Sequence, residues 1–309
     1  MRAIGAELYS KTWQPSTRLT PVRDIQHSPG LKKDAASLHA SPHLTLVISP
    51  KKLALVLTLV VLSLILAHVA VQYIKFFQGH PTLFGFHHQL NLDDENNLPA
   101  WYSSSALLLS AILLAVIGLA NKREGNPYTR EWFGLAAIFL YLSLDEAAEL
   151  HEGMGASLRP MLKAAGYFHG FLRYSWVIPG AMFVLVVALT YLRFLAALPV
   201  KTRALFLIAG SLYVGGALGI EMLGGRHEYL YGKENFSYLM FVAVEEGLEM
   251  LGIVVFLYAL VSHLGSSRSG LQILIEDGPP EHTSHLAVEN QLPMNNPPKV
   301  PPLKSHNPP

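Results

Sequence analysis

LALVLTLVVLSLILAHVAVQYIKF, residues 53–76, holds one charged side chain, Lys75, in a run of Leu, Val, Ile and Ala. At about 1.5 Å per helical residue, about 20 such residues cover the hydrocarbon core of a bilayer. The run is longer and starts further from the amino terminus than the apolar core of a secretory signal, so it reads as a retained span. Four further segments meet the same length: Trp101 to Ala120, Trp176 to Leu195, Arg203 to Gly224, and Tyr238 to His263. A sixth, Trp132 to Glu152, opens with WFGLAAIFLYLSL and then turns acidic. A half-buried re-entrant helix is the competing reading of that segment. The expected fold is an all-α polytopic membrane bundle of six transmembrane helices over residues 51–264.

Composition agrees. The 309 residues are 51% hydrophobic and 15% charged, where soluble domains carry about 25% charged residues. With no cysteine, disulfides, thiolate metal ligands and cysteine nucleophiles are excluded. A formal charge of +1 offers no electrostatic basis for binding nucleic acid. Residues 1–50, polar and broken by Pro15, Pro21, Pro29 and Pro42, read as a disordered cytoplasmic tail. Residues 265–309, with PPEHTSH and NPPKVPPLKSHNPP, read as a second, Pro-rich one.

Loop charge sets a direction. Lys51, Lys52, Lys122, Arg123, Arg130, Arg193, Lys201, Arg203 and Arg268 all fall at one end of the spans, the expected cytoplasmic side, with both termini. The loop HPTLFGFHHQLNLDDENNLPAW, residues 80–101, has no Lys or Arg and belongs outside, although Arg159 and Arg226 blur the bias. Trp101, Tyr102, Tyr174, Trp176 and Tyr238 would mark the outer interface.

Three spans then carry acids that lipid would not accept. The third has SLDEAAELHE (Asp145, Glu146, Glu149, His151, Glu152). The fifth has GIEMLGGRHEY (Glu221, His227, Glu228). The sixth has AVEEGLEMLG (Glu245, Glu246, Glu249). Each intramembrane carboxylate costs about 2.5–3.5 kcal/mol on insertion scales, so such groups line a protein interior or a wet cavity. At 100° per residue Asp145, Glu149 and Glu152 share an arc of about 60°, and Tyr238, Glu245, Glu249 and Gly252 share a stripe. All fall in the same half of the membrane. Internal cations are few: Arg173, Arg226, Arg159 and Lys163.

Crowded carboxylates must share protons, pair with cations or bind metal. The expected ligands of a divalent metal ion are Asp145, Glu149, His151, Glu152, Glu221, His227, Glu245 and Glu249. Glu146 and Glu246, about 100° round their helices, would be the proton-moving catalytic groups. Zinc, iron or manganese would suit a set that includes His, and His169, His80, His87 and His88 are further nitrogen donors. No standard signature is complete. HExxH fails at Gly155 and Tyr231, the EF-hand pattern at Asp93 fails at Leu98 and Ser104, and no Glu-x-x-His lies on the acidic spans. DEAAE and EEGLE look alike but do not occupy inverted-repeat positions. Gly215 and Gly219 form a small-xxx-small face that would draw the fifth span inward.

NLDDENNLPAWYSSS, residues 91–105, together with SLDEAAELHE, residues 143–152, resembles uncharacterised multi-spanning membrane proteins of bacteria. The resemblance covers about residues 53–263 and neither tail. It implies a bacterial inner-membrane location and no catalytic assignment.

The first functional expectation is a membrane-embedded, hydrolase-like metalloenzyme acting on a lipid or other amphiphile at the outer leaflet. Its alternatives are a proton- or cation-coupled transporter and a structural or assembly protein. A transporter should continue its polar groups into the inner halves of the spans, which are almost wholly aliphatic.

Overall fold

The structure, a computed structural model, describes residues 49–80, 83–168 and 170–266. The expectations for both tails, and for His169, lie outside those residues. Among the described residues the chain is all α, with no strand. The helices are α1 (Pro50–Gln78), α2 (Phe86–Leu90), α3 (Leu98–Arg123), α4 (Thr129–Ala148), α5 (Leu150–Ala164), α6 (Val177–Ala197), α7 (Val200–Val214), α8 (Glu221–Tyr231) and α9 (Phe236–Ser266). A π-helical segment, Gly215–Ile220, joins α7 and α8 into one helix.

Five of these are long and apolar enough to cross a membrane: α1, α3, α6, α9 and the continuous Val200–Tyr231. The remaining long helix, α4, keeps at least three of Arg130, Glu131, Asp145 and Glu146 in any stretch of 18 residues, so composition alone does not qualify it. The expected third segment also ends early. Its helix stops at Ala148, where Glu149 turns into the left-handed region with φ 52°, and α5 sets off afresh at Leu150. The expected fifth segment runs on instead, through Gly224 and Gly225 to Tyr231.

Local chemistry accounts for most of the ends. Pro50 opens α1, and Gly79 closes it at φ 75°, a conformation glycine adopts without strain. Asn97 caps α3 by accepting the Ala100 N–H at 3.1 Å. α9 is the hub of the bundle and packs against α1, α3, α7, α8 and the π segment. His68 and Gln72, fully buried on α1, would be costly in an apolar core without partners. His68 bonds the Leu239 carbonyl at 3.1 Å and accepts the Leu92 N–H at 2.9 Å. Gln72 donates to Asn91 at 2.7 Å. Both therefore hold the 91–97 loop over one end of the bundle, called the acidic end below. At the opposite end Trp132 packs among Phe194, Phe206 and His263.

The close helix approach does not use the expected glycines. A Cβ on Gly215 or Gly219 would meet nothing within 4 Å. One on Gly216 would lie 2.7 Å from the Glu245 carbonyl oxygen, and one on Gly252 would lie 2.9 Å from both Ala209 O and Tyr213 N. The π turn accounts for Gly216 in place of Gly215 and Gly219, since its i→i+5 bonding rotates the face relative to an α-helical wheel. Gly216→Ala and Gly252→Ala should each destabilise the protein by about 1–3 kcal/mol through overpacking. Gly215→Ala and Gly219→Ala should stay within about 0.5 kcal/mol. Melting temperatures in detergent check this ranking.

Candidate functional site: an acid-ended cavity

α6 packs only lightly on α7 and on the π segment, and the space between α4, α6, α7 and α9 is a cavity of about 590 Å³. Its limb toward the Trp132 end is apolar, walled by Val184, Val187, Phe194, Phe206, Ile253 and Phe256. Its other limb is lined by carboxyl groups from five parts of the chain. The 91–97 loop contributes Asp93 and Glu95, α4 contributes Asp145 and Glu146, and α5 contributes Glu152. Glu221 comes from the start of α8, and α9 supplies Glu245, Glu246 and Glu249. Against these nine carboxyls the lining holds one lysine, Lys233, and one histidine, His151.

Several acids have defined partners. Asp145 accepts the His151 N–H at 2.7 Å and lies 3.1 Å from its Nδ1. It thereby satisfies an orphan N–H in the first turn of α5 across the break at Glu149. Trp176 Nε1 donates to Glu221 at 2.8 Å, and the His151 ring lies edge-on to the same indole, 4.8 Å between centroids. Tyr238 Oη lies within hydrogen-bond distance of Asp93, at 3.0 Å, and Lys233 pairs with Asp93 at 3.1 Å. Glu228, just off the cavity, takes two hydrogen bonds from Arg173, at 2.8 and 3.2 Å, and one from Tyr174 at 2.7 Å.

Of the residues picked out in the sequence, Asp145, Glu146, His151, Glu152, Glu221, Glu245, Glu246 and Glu249 come together around the cavity. The common arc proposed for Asp145, Glu149 and Glu152 does not exist, because the helix breaks at Glu149, which is absent from the lining. His227 also lies elsewhere, 3.2 Å from Asn235, with its ring tilted against those of Tyr231 and Phe241. His87 and His88 are engaged with Gln72 and Asp94. The expected internal cations turn away too. Arg159 and Lys163 sit over Phe168, Arg226 sits over Phe171, and Arg173 belongs to Glu228. Among the described residues no three His, Asp or Glu side chains converge as a metal cage.

Asp93, Glu95, Lys233, Tyr174, Trp176 and Tyr213 line the cavity without having been expected there. The run DDENN was visible as an outer-loop acidic stretch. Its return to the cavity depends on the buried His68 and Gln72, and an imidazole and an amide inside an apolar run were the available signal.

Fold and cavity together define an all-α protein in which helices of membrane-crossing length surround a half-acidic, half-apolar chamber. The chain belongs to the family described as a domain of unknown function, DUF8692, which matches residues 53–264. No curated protein and no solved structure matches it.

In the cap, burial raises the Asp93 pKa against the pull of Lys233. Burial, reinforced by the charge of Glu149, raises Glu95 from 4.5 to about 7. The folded chain therefore binds a proton at Glu95 that the unfolded chain has already lost. Stability contributed there is present below pH about 4.5 and is lost as pH rises toward about 7. Glu95→Gln should flatten the fall of melting temperature across that window.

Proposed function

We propose that this protein is a bacterial inner-membrane protein with six spans and both termini cytoplasmic, and that its cavity binds an amphiphile and acts on it. In this reading α4 is the third span, and the loop charges set the direction. α5, with Leu150, Met154 and Met161 exposed along one side, rests on the outer bilayer surface.

The carrying observation is the composition of one chamber, in which nine carboxyls and a single lysine stand at one end of an otherwise apolar space of about 590 Å³. That volume falls within the range of small-molecule sites. An alkyl or polyprenyl chain fits the Phe194–Phe206–Phe256 limb, and a polar head then meets Glu146, Glu245, Glu246 and Glu249. Glu146 and Glu246 are the candidate acid–base pair, because protonated and ionised carboxyls side by side can donate to and accept from the same reacting group. A divalent cation attracted to the carboxyl-lined end as a whole is the other means of balancing the charge. The apolar walls of the inner limb favour a one-sided site over a through-going ion path.

Native mass spectrometry of the protein purified in mild detergent should find a co-purified amphiphile. Val187→Phe, which fills the apolar limb, should lower its occupancy at least about tenfold, the equivalent of about 1.4 kcal/mol. Elemental analysis of wild type beside a Glu245→Gln/Glu249→Gln variant reports the cation. Bare wild-type protein, or equal loading of the Val187 variant, would remove the amphiphile reading. A missing metal in both samples would leave proton chemistry alone.

A further inference from the structure

Four side chains at the acidic end form an unbroken row. Tyr238 Oη lies 3.0 Å from Asp93 Oδ1, Tyr174 Oη lies 2.8 Å from Tyr238 Oη, and Tyr174 Oη lies 2.7 Å from Glu228 Oε2. The row starts at a residue of the cavity lining, Asp93, and passes two phenols that also line it. It ends at Glu228, which lies off the lining beside Arg173, 37% exposed, while Lys233 beside Asp93 at the other end is 50% exposed.

Proton counting constrains the row. Each phenol owns one hydroxyl proton, so two tyrosines supply two hydrogen bonds. Three oxygen–oxygen contacts of hydrogen-bond length require three protons. The third must sit on a carboxyl, Asp93 or Glu228, since two phenolic oxygens 2.8 Å apart with no proton between them would repel. One proton is therefore shared between two carboxyls, each of which has a cation beside it. Lys233 lies 3.1 Å from Asp93, and Arg173 lies 2.8 Å from Glu228.

We infer that Asp93, Tyr238, Tyr174 and Glu228 form a proton path along the rim that joins Glu228, outside the chamber, to Asp93 in its lining. The step balances without a co-reactant. The Asp93 carboxyl gives its proton to Tyr238 Oη, the Tyr238 hydroxyl proton passes to Tyr174 Oη, and the Tyr174 proton passes to Glu228 Oε2. Asp93 ends as a carboxylate and Glu228 as an acid, and rotation of the two hydroxyls resets the row. The surroundings of the two ends differ and favour the proton at the Asp93 end. Asp93 has Lys233 and Tyr238 against it, Asp94 beside it in sequence, and Glu245 and Glu246 of α9 within electrostatic reach. Glu228 has Arg173 and Tyr174, with Lys233 within electrostatic reach. Burial, which raises the Asp93 pKa, agrees with placing the resting proton there.

The inference rests on the reading that the chamber carboxyls exchange protons, and one experiment separates the two. Time-resolved infrared spectra of the full chain in proteoliposomes, taken after a pH step, follow the carboxyl C=O band of the chamber. Tyr238→Phe breaks the row with little change of shape, and Asp93→Asn keeps an acceptor for Tyr238 while removing the exchangeable proton. Each should slow the band change at least about tenfold and leave its final size in Tyr238→Phe unchanged. Adding Tyr174→Phe to Tyr238→Phe should slow it no further, because the links are in series. Wild-type rates in both single variants would overturn the path, including the case where melting temperatures fall and the row is only a clasp. No carboxyl band change in any of the proteins would overturn the chamber reading as well.

Discussion

An ionised carboxyl loses several kcal/mol of hydration when it leaves water, and a second one beside it adds repulsion that a poorly solvated site does little to screen. This chain gathers nine carboxyls round one chamber with one lysine among them. They cannot all be charged together. Either protons stay on most of them or cations come from outside, and both routes tie the occupancy of the site to its surroundings. The rest of the structure follows from gathering those carboxyls at one end of the chamber and apolar walls at the other.

Two of the backbone irregularities occur where that constraint acts. α4 gives up its helix at Glu149, a non-glycine residue held at φ 52°. The break lets Asp145 reach forward to the His151 N–H and brings α5 back over the chamber, so that Glu152 joins the lining. The π segment ends immediately before Glu221, which it presents to Trp176 Nε1. It also carries Gly216, whose missing side chain leaves room for the Glu245 carbonyl and the Glu249 side chain. A helix without that turn would present a different face to α9. Backbone strain and π turns cost free energy and persist where the surrounding packing determines them, and here both lie beside the carboxyls.

Much of this was legible in the sequence, for reasons that also mark where reading stops. Length and apolar composition expose α1, α3, α6 and α9, because each must cover its own span. The acids on DEAAE and EEGLE stood out because lipid would reject them, and the structure brings Asp145, Glu146, Glu245, Glu246 and Glu249 to one chamber. Extrapolating a uniform 100° wheel failed twice. It carried the third helix past Glu149, and it assigned close packing to Gly215 and Gly219 instead of Gly216 and Gly252. A left-handed residue and an i→i+5 turn are set by tertiary contacts, so composition does not announce them. Asp93 and Glu95 were visible as acids, but their place depends on His68 and Gln72 across a loop. His227 was grouped by proximity to Glu228, although its neighbour Asn235 claims it.

The two limbs of the chamber together limit what can occupy it. Water has little to bond in the limb walled by Phe194, Phe206 and Phe256, so that limb favours hydrocarbon. The acidic limb favours groups that donate hydrogen bonds or carry positive charge. A free metal ion would satisfy only the second limb, and a simple hydrocarbon only the first. An amphiphile satisfies both, and α6, with Leu185, Val186 and Leu189 exposed and only light packing on its neighbours, is the side of the bundle most open to exchange with surrounding lipid. On the proposed reading, a molecule entering there would bring its head to Glu146, Glu245, Glu246 and Glu249. In that proposal, substrate from the bilayer and protons from the rim would reach the chamber carboxyls by separate routes.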